Sequence, residues 1–136
     1  MNLTPNFTLY EFFKSDTARA RSISNVPATV ADLVRVIDNI ARLADILQSV
    51  RNQYGGAIRI TSGYRCPALN RAVGGVADSY HLKGAAADLQ AADMPRLLRC
   101  LRQHDKEIKT IVENGWYHVQ LKPPSNSQGL SPRPPQ

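Results

Sequence analysis

Ile108-Lys109-Thr110-Ile111-Val112-Glu113-Asn114-Gly115-Trp116-Tyr117-His118-Val119-Gln120-Leu121 reads as strand, turn, strand. Two runs rich in β-branched and aromatic residues flank an Asn-Gly pair, the strongest short-range hairpin signal. Side chains of a strand alternate between faces. Tyr117, Val119 and Leu121 therefore form an apolar face, and Trp116, His118 and Gln120 point the other way. A two-residue turn puts Glu113 opposite Trp116 and Ile111 opposite His118. Glu113 and His118 then become diagonal neighbours on one face, roughly 7–8 Å apart at the backbone.

Upstream, Gly84 to Leu89 suits a short strand. Ala85, Ala87 and Leu89 share its core face, and Asp88 points away with Ala86. Asp88 and His118 thus both lie on the non-core faces of their strands. Ala57 to Thr61 also alternates in strand fashion. The strongest helical period opens at Pro27 and ends near Tyr54-Gly55-Gly56. Its apolar stripe is Leu33, Ile37, Ile40, Ala44 and Leu47, widened by Val30, Val34, Val36, Leu43 and Val50. Shorter helices are expected over Pro67–Val73 and over Met94–Gln103, the latter capped by Asp93. Residues 1–26 read as an ordered arm with one amphipathic turn around Leu9, Phe12 and Phe13. We find no internal repeats. The expected organisation is one domain over residues 1–121, followed at 122–136 by a tail with five prolines that should be disordered.

Composition is ordinary for a globular chain, so disorder of the whole is not expected. The net charge of +6 favours anionic partners. The basic residues are scattered singly, without the stripe or interleaved aromatics of a nucleic-acid binder, so no nucleic acid is expected as partner. Cys66 and Cys100 have no metal or redox spacing and read as buried free thiols, with one disulfide possible outside a reducing compartment. The start of the chain shows neither a basic nor an apolar leader region, and no apolar run is long enough for membrane insertion. A soluble monomer made in the cytoplasm is the expectation.

His81, Asp88 and His118 offer two imidazoles and one carboxylate, in a chain with few other candidate ligands. A catalytic zinc uses such a set when it leaves one position open for water. Each residue alone has a commoner reading: a loop histidine at the surface, a hydrogen-bonded aspartate, a structural histidine in a hairpin. Together they predict one zinc per chain. The fold expected is α+β: a small, mainly antiparallel sheet with helices packed on one side and a zinc cleft on the other. Glu113, by its place in the hairpin, is a candidate general base. His104, beside Asp105, Lys106 and Glu107, reads as solvated.

The pattern Ser79-x-His81-x-x-Gly84-x-Ala86-x-Asp88, followed by Trp116-x-His118, resembles the zinc D-alanyl-D-alanine carboxypeptidases and the related phage peptidoglycan endopeptidases. Thr61-Ser62-Gly63-Tyr64-Arg65-Cys66-Pro67-x-Leu69-Asn70 is similar to that family's SGYRxxxxN element. Asn6-Phe7-Thr8-Leu9-x-Glu11, Ser15-x-x-Ala18 and Asn25-x-Pro27 look like the leader of a short phage-associated branch. The resemblance spans roughly residues 3 to 121. It implies that His81, Asp88 and His118 bind zinc and that Arg65 holds a substrate carboxylate or carbonyl. Ser79 would contact substrate, and Trp116 would shield one side of the metal. A surface arginine, a loop-capping hydroxyl and a half-buried strand aromatic are the plainer readings of those three.

One departure stands out. Many members carry a Glu or Asp three residues before the last histidine, where this chain has Gly115. Glu113, five residues before His118, is the nearest carboxylate. The resemblance implies a zinc metallopeptidase acting on peptidoglycan stems or cross-links, reached after holin-type release or from a phage particle. The alternatives are a catalytically weak or inactive zinc-bound wall-binding or phage structural module, and a D-Ala-D-Ala dipeptidase.

Overall fold

The computed structural model describes residues 1–123. The chain runs β1 (Asn2–Thr4), β2 (Phe7–Thr8), α1 (Leu9–Phe13), α2 (Asp16–Ala20), α3 (Val30–Tyr54), β3 (Ile58–Ser62), α4 (Pro67–Ala72), a 3₁₀ turn (Tyr80–Lys83), β4 (Ala86–Ala91), α5 (Met94–Arg102), β5 (Ile108–Val112) and β6 (Tyr117–Leu121). It is an α+β fold. β3 to β6 form one antiparallel sheet in the order β3-β4-β6-β5. β1 and β2 pair separately at the start.

The hairpin register is the expected one: Ile111 faces His118 and Val112 faces Tyr117. The N–H of Glu113 donates to the carbonyl of Trp116 at 3.0 Å, closing the two-residue loop. Gly115 takes φ +98°, a left-handed value that a side chain at that position would strain. One sheet face carries Ile58, Ile60, Ala87, Leu89, Tyr117, Val119, Leu121 and Ile108, all buried. On α3, Val36, Ile40, Leu43, Ala44, Leu47 and Val50 join them in a single apolar cluster, together with Leu97 and Leu101 of α5. Each fully buried Leu or Ile contributes about 1.5–3 kcal/mol relative to exposure. Tyr117 Oη of β6 donates to the Met94 carbonyl of α5 at 2.8 Å, tying sheet to helix, and the Asp93 N–H at the cap of α5 donates to Tyr54 Oη of α3 at 2.8 Å, tying the two helices.

α3 begins later than its sequence period suggested. Thr29 caps it, its side chain accepting from the Asp32 N–H, and Pro27 lies before the helix. Val30, Leu33 and Val34, expected on the buried stripe, are exposed. Packing starts at Val36, where Gly84 backs onto the helix so closely that a Cβ there would lie 2.8 Å from the Val36 carbonyl oxygen. Periodicity reports which face is apolar, and not how far the layer beneath it extends.

The arm is more structured than one turn. Thr8 and Glu11 form a reciprocal capping box at the start of α1, which buries Phe12 completely. Ser15 caps α2. His104, expected in solvent, keeps only 16% of its side chain exposed, with Nδ1 3.0 Å from Glu107 Oε1. The turns after α5 fold it back, the Ile108 N–H donating to its carbonyl. Cys66 and Cys100 are free and buried. Lys122, assigned to the tail, is held by its N–H donating to the Glu107 carbonyl at 2.9 Å. The rest of the expected tail, from residue 124, lies outside the described residues.

Candidate metal centre

The sheet face away from the helices carries Asp88 and His118 as direct cross-strand partners on β4 and β6. His81 approaches from the 3₁₀ turn. Ser79 caps that turn, its Oγ accepting from the His81 N–H at 3.1 Å. Gly84 ends it at φ +70°. Both the left-handed backbone and the closeness of Val36 restrict that position to glycine.

The three side chains converge. Asp88 Oδ1 lies 3.3 Å from His81 Nε2 and 3.1 Å from His118 Nδ1. One donor atom from each residue fits within a mutual distance of 4.8 Å. The imidazole rings meet edge-on, 5.2 Å between centroids. His81 and Asp88 are buried, and His118 retains 15% of its side-chain exposure.

The remaining ring nitrogens decide what these atoms can do. His81 Nδ1 lies 2.7 Å from the Gly63 carbonyl, which can only accept, so Nδ1 carries the proton. His118 Nε2 lies 2.8 Å from Gln120 Oε1, another acceptor, so it too carries a proton. In the neutral rings, His81 Nε2 and His118 Nδ1 are then lone pairs, both directed at the Asp88 carboxylate. Three electron-pair donors facing one another need a cation between them. Two imidazoles and one carboxylate, each ring fixed by an outer acceptor, match a zinc site with room for further ligands.

Electrostatics follow the same geometry. Burial alone would raise the Asp88 pKa. When the rings are protonated, hydrogen bonds from His118 and His81, and then the charges of those rings, overcome burial and hold it at about 2. At His118 burial favours the neutral ring. The bonds to Asp88 and Gln120, with the Asp88 and Glu113 charges, outweigh it and raise the pKa. A proton on His118 Nδ1 is the cation's substitute in the zinc-free chain.

Arg65 lies beside this centre. Nη2 is 3.6 Å from Asp88 Oδ2, the oxygen turned away from the histidines. Nε donates to Ser62 Oγ at 3.3 Å and Nη1 to Asn70 Oδ1 at 3.2 Å. Burial lowers its pKa, partly offset by Asp88. The irregular register between Ile60 and Ser62 on β3 turns the chain here, from sheet pairing toward the loop that carries Arg65.

An open cleft runs from His118 along the hairpin, lined by Glu113, Ile111, Gln120, Ser79, Tyr80 and Asp78 among others. Glu113 is exposed on it, at the end of β5. Ser79 reaches the same cleft while its oxygen serves the turn. Trp116 sits at the hairpin tip, 36% exposed, and does not line the cleft beside His118.

Gln120, Ser62, Asn70 and the Gly63 carbonyl were not assigned roles from sequence. Gln120 was legible, since strand parity puts it on the His118 face two residues away. The Gly63 carbonyl carries no side-chain signal and emerges only from the fold.

A protein-family model described as Peptidase M15 matches residues 5–120. No curated protein matches the chain significantly.

Proposed function

Since the chain belongs to the peptidase M15 family, whose members are zinc peptidases, we propose that it cleaves peptide bonds in the stems or cross-links of bacterial peptidoglycan. The observation that carries this reading is the convergence of three lone pairs, with both rings locked by Gly63 and Gln120. His81, Asp88 and His118 would hold one zinc. When bound, zinc supplies Lewis acidity to the scissile carbonyl and acidifies a water. Glu113, on the cleft wall beside His118, takes the proton from the attacking water. It passes that proton to the departing amine as the C–N bond breaks. Arg65, a guanidinium fork held by Ser62 and Asn70, presents donors to a substrate carboxylate or carbonyl. Ser79 would touch the substrate within the cleft, and Trp116, at the hairpin tip, would touch it beyond the cleft lining.

The remainder of the reading rests on the resemblance and the charge. The net charge of +6 would concentrate the protein on anionic wall material, an attraction that salt weakens. Among the described residues, no helix is long and apolar enough to cross a membrane. We place the protein's action at the wall, as a monomer, after release through a holin-type pore or from a phage particle.

Metal analysis of the purified protein, with His81→Ala as control, should find close to one zinc per wild-type chain. Zymography on purified wall, comparing wild type with Glu113→Gln, should show lysis only by the former. A chain that never retains zinc would end this reading. Zinc without lysis would favour the wall-binding module, for which Gly115 in place of a carboxylate is the motive. Release of alanine from free D-Ala-D-Ala alone would favour the dipeptidase.

A further inference from the structure

The SGYR segment is followed closely by α4, but residues 63–66 belong to no helix or strand. A loop that carries a substrate-binding guanidinium needs its backbone fixed by something else. Tyr64 is held by its N–H donating to the Phe12 carbonyl at 2.7 Å, and Arg65 by its N–H donating to the His81 carbonyl at 3.0 Å. Three further bonds come from one side chain in the N-terminal arm. Asn25 Nδ2 donates to the Tyr64 carbonyl at 2.9 Å and to the Phe13 carbonyl at 2.9 Å. Its Oδ1 accepts from the Cys66 N–H at 2.7 Å.

One amide therefore binds the residue before Arg65 and the residue after it. Its third bond, to Phe13, anchors the amide to the end of α1. The demand is specific: two donors and one acceptor on a short planar group, which asparagine supplies. Aspartate would keep the acceptor and lose both donors.

We infer that Asn25 is a positioning residue for Arg65, so that the N-terminal arm forms part of the substrate site without touching substrate. This rests on the role proposed for Arg65. It goes beyond that role by assigning a function to the Asn25-x-Pro27 element, which the metal centre leaves unexplained. A loop anchor of general structural value would stabilise the chain wherever it sat. A clamp that brackets one residue acts through that residue's side chain.

The experiment is a double-mutant cycle between Asn25→Ala and Arg65→Ala in the zinc-loaded protein. kcat/KM is read on solubilised peptidoglycan peptides. Asn25→Ala is expected to lower kcat/KM about tenfold in the wild-type background and by less than about twofold in the Arg65→Ala background. Zinc stoichiometry should stay unchanged, because His81 is oriented through Gly63 and not through Asn25. In the zinc-free protein, amide hydrogen exchange at Cys66 should accelerate in Asn25→Ala and remain slow in Asn25→Asp, which keeps the acceptor. Equal losses of kcat/KM in both backgrounds, or loss of zinc in Asn25→Ala, would overturn the assignment. If the wild type held no zinc and cleaved nothing, the proposed function would fall. Cys66 exchange would still decide the clamp, and an unchanged rate in Asn25→Ala would sink it.

Discussion

His118 holds two neighbours at once, Asp88 on Nδ1 and Gln120 on Nε2, and the second governs what the first can be. Gln120→Leu removes the acceptor that fixes the ring's tautomer. Zinc affinity should fall about 10–100-fold, measurable by competition with a chromophoric chelator. The same ring sets opposite pH responses in the two forms of the protein. In the zinc-free chain the His118 pKa is raised, so its contribution to stability is complete below the unfolded value of 6.5 and is lost as pH rises through the folded one. Asp88 is depressed to about 2, so its contribution is complete above 3.8 and is lost as pH falls toward 2. The zinc-free Tm should therefore gain most from this cluster between those two unfolded values. Zinc must displace the His118 proton, so its affinity should rise with pH through that same raised pKa. Thermal melts across pH, with and without zinc, check both signs; a zinc affinity flat across that range would contradict them. Glu113→Gln keeps the size and polarity of the side chain and removes its basicity. Activity should drop about 10²–10⁴-fold with zinc content intact.

At the scale of elements, the site depends on how closely the arm lies over the SGYR loop. A Cβ on Gly63 would stand 2.5 Å from the Phe12 carbonyl oxygen and 2.8 Å from its Cα. Gly63→Ala should therefore push α1 off the loop and displace the carbonyl that orients His81. Loss of Tm and of zinc affinity together, by calorimetry and metal titration, is the expected pair; a Tm loss alone would mean that the His81 contact survives. The hairpin was legible because its information is local: Asn114-Gly115 fixes the loop, and alternation fixes the faces of Glu113, His118 and Gln120. Asp88 was legible for the same reason. The buried extent of α3 was not, because Val30, Leu33 and Val34 are apolar at helical spacing and only the edge of the layer beneath leaves them exposed. The capping box of Thr8 and Glu11 was present in the sequence as a recognisable spacing. The clamp from Asn25 to Tyr64 and Cys66 spans too much chain for any periodicity to reveal. His104 read as solvated because its neighbours are charged, yet the turns after α5 carry it inward.

For the whole molecule, the order of the sheet matters most. β6 is the last strand in sequence and yet lies between β4 and β5. The β5–β6 hairpin is local and should form on its own within microseconds. The pairing of Asp88 with His118 arises only when that hairpin docks on β4, a contact across thirty residues of chain. Docking of the hairpin is therefore the step that brings Asp88 and His118 together. Zinc should slow unfolding while leaving the refolding rate nearly unchanged, since the three donors do not face one another before docking. Stopped-flow chevrons with and without zinc test this; acceleration of the folding limb would place the docking earlier. A chain whose hairpin has not docked on β4 lacks the Asp88–His118 pair, so such a copy can neither sequester zinc at that site nor cut.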